Sequence, residues 1–276
     1  MTRIAFLGLG AMGRRMASRL VDAEYDITLW NRTELPEDIL PGTRRSATVK
    51  EAVSKADLIF SMVTDDLASR AVWTGEDGAI AGMEPGAVAI ECSTLSPAWV
   101  AELAKAVAEA GCAFADIPVA GSLPQAEAGQ LIFLAGGTDA VVSQLTPIAN
   151  AMGQSVLHAG GVGQGTVLKL IVNAQLAIQT ATMTELMRFA DARGMGRALA
   201  LDLLSQTPVL SPTSKAVGAQ ILAGADDPMF TIDLLVKDLG YMLDTGPWPI
   251  TDAARTVYSA AQGRSLGSRH ITAIAR

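Results

Sequence analysis

The chain has 276 residues, half of them hydrophobic and only 5% aromatic, with a formal net charge of -7. That length suits two domains of ordinary size with aliphatic cores, and the acidic balance speaks against a nucleic-acid partner, which needs a basic patch. Two cysteines (Cys92 and Cys112) and two histidines offer neither a disulfide framework nor a good zinc set.

The first strand is expected at residues 3–7, directly after the start, with no signal peptide. No apolar run reaches membrane-spanning length. A cytoplasmic chain with no membrane partner is expected. The strand runs into Gly8-Leu9-Gly10-Ala11-Met12-Gly13 and then a helical pattern through Leu20. This is a G-x-G-x-x-G turn between strand and helix, the setting in which it binds a dinucleotide. Gly8 allows the tight turn, Gly10 lets a pyrophosphate approach the backbone, and Gly13 lets helix and strand pack closely. The helix N-terminus offers free N–H groups and a partial positive charge. The alternative is a glycine-rich turn that binds nothing.

A second strand, 27–30, ends at Asn31-Arg32-Thr33. An acidic residue there would accept hydrogen bonds from the adenosine ribose. Asparagine followed by arginine instead suits a 2′-phosphate, so NADP is favoured over NAD, although Glu34, Glu37 and Asp38 follow closely. Thr48 opens a helix to Ala56 with a capping box. Residues 58–63 read as a fully buried strand, and Asp65-Asp66 cap the next helix. A strand at 87–92 ends at Ser93-Thr94, and Ser96-Pro97 starts another helix. The strand ends Met62-Val63 and Ser93-Thr94 lie where open parallel sheets place ligands. Strands at 112–117, 131–134 and 155–158 complete the alternation, which implies a doubly wound α/β domain.

Beyond Gly165 the strand patterns stop. Helices are expected over 165–193, ended by Gly194, then 198–206, 212–222, 231–244 and 251–265, while the tail 265–276 carries little signal. The long helix is apolar nearly all round, which predicts burial and suggests a homodimer or homotetramer. Near its start stand Lys169 and Asn173, one turn apart and on one face. A lysine there either snorkels to water or points into a cleft. The stretch Asp116-Ile-Pro-Val-Ala-Gly-Ser122 follows a strand. Its Gly121-Ser122 N–H groups and hydroxyl could hold a carboxylate, or form a plain turn. Phe230 and Lys237-Asp238 follow, the latter readable as a solvated ion pair.

The Gly8–Gly13 turn, Asp116-x-Pro-Val-x-Gly-Ser122, Gly163-Gln-Gly-x-x-x-Lys169-x-x-x-Asn173 and Lys237-Asp238, in that order, resemble the β-hydroxyacid dehydrogenase family over essentially the whole chain. The family includes 6-phosphogluconate dehydrogenase-like and 3-hydroxyisobutyrate dehydrogenase-related enzymes. Asn31-Arg32-Thr33, Pro118–Pro124 and Gly129–Phe133 most resemble its NADPH-dependent glyoxylate/succinic semialdehyde reductases. The resemblance implies a Rossmann domain (1–162), an all-helical C-terminal domain (163–276), a long helix joining them and a cleft. It implies Lys169 as the catalytic residue and Thr94, Gly121, Ser122, Asn173, Phe230 and Asp238 around a small carbonyl or hydroxy-acid substrate. Lys237 would reach the cofactor near the nicotinamide. The family usually has serine where this chain has Ala120. Losing that hydroxyl removes a bond to a substrate carboxylate worth about 1.5–3 kcal/mol.

The expected chemistry is hydride transfer between NADP(H) and a small β-hydroxyacid or aldehyde-acid. The Lys169 ammonium stabilises the growing oxyanion and donates the proton. Two rivals remain. An imine reductase is disfavoured by Lys169 and kept open by Ala120. A non-catalytic NADP-binding interaction protein is disfavoured by Lys169 and Asn173.

Overall fold

The computed structural model describes residues 2–34, 36, 39–224 and 227–276; Glu37 and Asp38, expected to oppose an anion near Arg32, lie outside the described residues. Two compact units divide the chain, Met1–Lys169 and Leu170–Arg276.

In the first unit the described residues form one nine-stranded sheet. β1 (Arg3–Leu7), β2 (Asp26–Trp30), β3 (Arg44–Arg45), β4 (Leu58–Ser61), β5 (Val88–Glu91) and β6 (Ala113–Asp116) lie in the order β3-β2-β1-β4-β5-β6 and pair in parallel. β7 (Val119–Ala120), β8 (Leu131–Gly136) and β9 (Gly153–Gly160) extend it. The helices are α1 (Gly13–Asp22), α2 (Val49–Val53), α3 (Asp66–Thr74), α4 (Pro97–Glu109), α5 (Leu123–Glu127) and α6 (Asp139–Met152). Apolar runs make the central strands because both faces are covered. Ile4, Phe6 and Phe60 pack with Met16 and Leu20 of α1 and Leu145 of α6. Ala5, Leu7 and Ile59 pack on the other face with Val49 of α2, Trp73 of α3 and Leu103 of α4. Burying each such large side chain contributes roughly 1.5–3 kcal/mol. Successive strands are added on one side of β1 as far as β3 and on its other side from β4 onward, so the ends of β1 and β4 form the switch point where open α/β sheets take ligands.

The parallel sheet expected of a doubly wound domain is present from β3 through β6, and the strands beyond it are mixed. β8 runs antiparallel to β6 and β7, and β9 returns parallel to β8. A parallel return needs a full crossover. The stretch 117–130 supplies only the two-residue β7 and the short α5, so β8 enters reversed. β3, β7 and α5 have no counterpart in the sequence reading, being too short to show a period.

α7 (Gln164–Ala192) begins in the first unit and continues into the second. There follow α8 (Arg197–Leu204), α9 (Pro212–Ala223), α10 (Ile232–Leu243), α11 (Pro249–Gly263) and a 3-10 helix (Ile271–Ala275). Gly194, at φ +79°, takes the left-handed conformation just past the end of α7. Ala174 and Ala177 of α7 pack with Leu235 and Leu239 of α10, Tyr258 of α11 and Ile271 and Ile274 of the tail. The tail, whose sequence carries little signal, is thus part of this core. All-round burial of α7 needs correction: Ile171 is 53% exposed and Phe189 61% in the single chain. One chain covers only one stripe of this helix.

Candidate functional site

Gly8 sits just past β1 at φ +95°, and its N–H donates to Trp30 O at 2.9 Å. A Cβ on Gly8 would collide with Met62 O, and one on Gly13 with Gly8 O. These two glycines therefore close the turn against the end of β4 and let α1 start directly on it. Gly10 is the opposite case. It is exposed, and a Cβ there would meet nothing within 4 Å. Ala11 is exposed beside it and Met12 partly buried. No side chain caps α1 and its first turn holds no acid. By contrast, Thr48, Asp65, Ser96 and Thr138 cap α2, α3, α4 and α6. An open glycine facing an uncapped, acid-free helix start suits a phosphate, so the residues fit a dinucleotide.

Asn31 is used within the protein. Its Oδ1 accepts the Leu9 N–H at 2.8 Å, and its Nδ2 donates to Thr33 O at 2.9 Å and Thr33 Oγ1 at 3.2 Å. It thus ties the glycine turn to the end of β2, rather than simply replacing an acid at the ribose. Arg32 and Thr33 are exposed alongside. The next two strand ends are also cross-linked. Met62 N–H donates to Leu7 O at 2.9 Å, and Val63 N–H to Ser93 Oγ at 2.8 Å. Thr94 is partly buried next to Ser93.

Gly121 has φ +121° and lies in exposed backbone. Ser122 occupies the N-cap of α5, and its N–H donates to Gln125 Oε1 at 3.0 Å. The Ser122 N–H proposed for a carboxylate is therefore engaged, and a ligand would have to displace Gln125. Ala120 pairs with Ile132 across β7 and β8. Asp116, at the head of the Asp116–Ser122 stretch, caps α7. It accepts Gly163 N–H at 2.6 Å and Thr166 N–H at 2.7 Å. Burial outweighs these two bonds and pushes its carboxyl up to about 6. Gly165 has no room for a Cβ, which would strike Leu134 O and Asp116 O. That close approach accounts for Gly165, while Gly163 has open space around it and is required by its φ of +88°.

Lys169 is partly buried in the first unit, one turn before Asn173 on α7. In the second unit, Asn173 is 3% exposed and its Nδ2 donates to Asp238 Oδ2 at 2.6 Å. Asp238 Oδ1 lies 2.8 Å from Lys237 Nζ, which stands 4.7 Å from the Tyr241 ring centre. The solvated-pair reading of Lys237-Asp238 fails, because the carboxylate is buried and shared with Asn173. The structure thus joins Asn173, Lys237 and Asp238. Phe230 is held by a different segment, its N–H donating to His270 Nδ1 at 3.3 Å and its O accepting Ile271 N–H at 3.0 Å. The sequence reading missed this role of His270 and the buried Glu91, which accepts Ser93 N–H at 2.9 Å. Among the described residues no group of three or more His, Cys, Asp or Glu could hold a metal ion. Among them, too, no helix is long and apolar enough to cross a membrane.

Residues 3–161 match the family model of the NAD binding domain of 6-phosphogluconate dehydrogenase. Residues 163–276 match that of the NAD-binding region of NADP-dependent 3-hydroxyisobutyrate dehydrogenase. The chain is 30% identical over 278 residues to glyoxylate/succinic semialdehyde reductase 2, chloroplastic, of Arabidopsis thaliana, covering 98% of this chain and 78% of that protein. It is 31% identical over 281 residues to cytokine-like nuclear factor N-PAC of Xenopus tropicalis, covering 99% of this chain and 53% of that protein. It therefore spans about half the length of the N-PAC relative. The structure of Mycobacterium tuberculosis 3-hydroxyisobutyrate dehydrogenase with L-serine shares the fold, at TM-score 0.89 and 24% identity over 100% of this chain and 98% of that one. From the glycine turn through the Lys169 helix to Lys237-Asp238, the chain belongs to the β-hydroxyacid dehydrogenase family of NAD(P)-dependent oxidoreductases.

Proposed function

We propose that the chain transfers a hydride between NADP(H) and a small β-hydroxyacid or its aldehyde-acid, such as glyoxylate or succinic semialdehyde, with Lys169 as general acid and base. The observation that carries this is a partly buried lysine near the start of α7, in a chain whose glycine turn and uncapped α1 fit a dinucleotide. The bound nicotinamide supplies the hydride. The backbone of Gly8–Gly13 and the α1 N-terminus hold the pyrophosphate. Asn31 and Thr33 shape the adenosine end, and Arg32 takes the 2′-phosphate, giving NADP preference over NAD. Met62, Val63, Thr94 and Lys237 serve the nicotinamide end.

The Lys169 ammonium stabilises negative charge on the carbonyl oxygen and then donates a proton to it. In the reverse direction the neutral amine removes the hydroxyl proton. Asn173 has its Nδ2 committed to Asp238, which leaves Oδ1 as the acceptor for an ammonium or a hydroxyl. Thr94, Gly121, Ser122 and Phe230 complete the substrate contacts. Ser122 Oγ takes over part of the carboxylate binding that a serine at position 120 would supply. A functional boundary at 162/163 is supported by the meeting point of the two family models, seven residues ahead of the division between the compact units, and the exposed apolar face of α7 with Ile171 and Phe189 is covered in a homodimer or homotetramer.

Two other readings have an observation behind them. Ala120 suits an imine, which needs no carboxylate anchor. The likeness to a relative named as a nuclear factor suits the reading of an interaction protein without turnover. Oxidation of NADPH with glyoxylate, succinic semialdehyde and a cyclic imine separates all three. The proposal requires turnover of an aldehyde-acid and its loss in Lys169→Ala. Turnover of the imine alone, or binding without oxidation of NADPH across a broad carbonyl panel, supports a rival.

A further inference from the structure

Glu91 ends β5 with a carboxylate that is 1% exposed. Its Oε2 accepts Ser69 Oγ at 2.8 Å and Trp73 Nε1 at 2.8 Å, both from α3, and its Oε1 accepts Ser93 N–H at 2.9 Å. Ser69 Oγ also accepts Trp99 Nε1 of α4 at 2.9 Å, which commits its own proton to Glu91. Three donors thus face two oxygens, an arrangement that suits the ionised form. Burial works against that charge and raises the pKa, and no ion pair to Glu91 forms among the described residues. Burying a carboxylate without a cation costs several kcal/mol. Filling space between a strand and two helices needs no charge, so the hydrogen bonds are what this residue provides.

Those bonds converge on two loops. Ser93 N–H is held by Glu91, and Ser93 Oγ in turn holds Val63 N–H at 2.8 Å. The loop after β4 is therefore pinned at Val63 and again, through Ser69 and Trp73, at the helix it leads into. The loop after β5 is pinned a second time, where Asp66 accepts Ser96 N–H at 2.9 Å and Ser96 Oγ at 2.6 Å. A single buried carboxylate cross-braces both strand ends.

We infer that Glu91 is a positioning residue that, through Ser93, sets the Met62-Val63 and Ser93-Thr94 strand ends for the nicotinamide half of the cofactor. The inference rests on the oxidoreductase reading, and it places Glu91 behind the contact surface. Glu91→Gln keeps the volume but turns an amide N–H toward one of the three donors. Ser93→Ala removes the Val63 link and the Ser93 hydroxyl's favourable contact with the Glu91 carboxylate but keeps the Ser93 N–H and Trp73 bonds to Glu91, so it remains informative if Glu91→Gln does not fold. The measurement is the affinity of each variant for NADPH and for 2′-phospho-ADP-ribose, which lacks the nicotinamide. Intrinsic tryptophan emission monitors the Trp73 bond. Both variants should lose about tenfold in NADPH affinity and stay within about twofold of wild type for the fragment, with Trp73 emission altered only in Glu91→Gln. Equal losses for both ligands, or no loss for either, would overturn the inference and leave a purely structural carboxylate. Failure of the wild-type chain to bind NADPH would overturn the oxidoreductase reading itself, and this inference with it.

Discussion

Asp116 gives a pH dependence with a defined sign. It is fully buried, caps α7 through Gly163 and Thr166, and has its carboxyl pushed up from 3.8 to about 6, chiefly by burial. The unfolded chain releases this proton near pH 4, whereas the folded chain holds it until about pH 6. Because the folded pKa is the higher one, the stabilising contribution is complete below about pH 4 and is lost as pH rises through 6. A difference of about 2.2 units at 1.36 kcal/mol per unit amounts to about 3 kcal/mol. Asp116→Asn keeps one acceptor for a backbone N–H and abolishes the titration. The assay is urea denaturation of wild type and variant at intervals from pH 4 to 7.5. The difference in unfolding free energy, wild type minus variant, should fall by about 2.5 kcal/mol across that range, the remainder being lost below pH 4, and flatten above pH 7. A difference that stays constant with pH, or that rises with it, would refute the assignment of a raised pKa to Asp116.

Three further outcomes follow from the geometry. Arg32→Ala should weaken NADPH binding by about tenfold or more and leave NADH binding nearly unchanged, since only a 2′-phosphate uses the guanidinium; equilibrium titration with both cofactors decides this. Asn31→Ala removes the acceptor of Leu9 N–H, a bond worth about 1 kcal/mol, and should weaken both cofactors together without switching preference. Asp238→Ala removes the acceptor of Asn173 Nδ2 and the ion pair with Lys237 and should cost on the order of 3 kcal/mol of stability. Chemical denaturation would show a change below about 0.5 kcal/mol if the pair were only surface decoration.

What could be read in advance was whatever is encoded along the chain. The apolar runs of β1, β4 and β5, the glycine turn and the length of α7 carry local signatures, and the helices of the second unit fall within a few residues of their expected bounds. β7 and α5 are too short to carry a period, so the reversal of β8 was invisible. Ile271–Ala275 looks like an uninformative tail because its burial depends on α7, α10 and α11. The same limit governs the candidate site. Motif spelling drew attention to Lys169, Asn173 and Asp238. It did not reveal that Asn31 is spent on Leu9, that Ser122 N–H is spent on Gln125, or that Asp116 caps α7. Each is a bond set by how the chain folds back, or by which of several local options a side chain takes. Glu91 reads as one more residue at a strand end until Ser69, Trp73 and Ser93 are seen around it.

The most direct test is single-turnover reduction of succinic semialdehyde or glyoxylate by NADPH, followed at the cofactor's absorbance in wild type and Lys169→Ala, with NADPH affinity measured on the same samples. Lys169 as the proton donor predicts that hydride transfer in the variant falls by about a hundredfold or more while NADPH affinity changes less than about threefold. A variant that transfers hydride at a rate close to wild type would contradict the role given to this lysine.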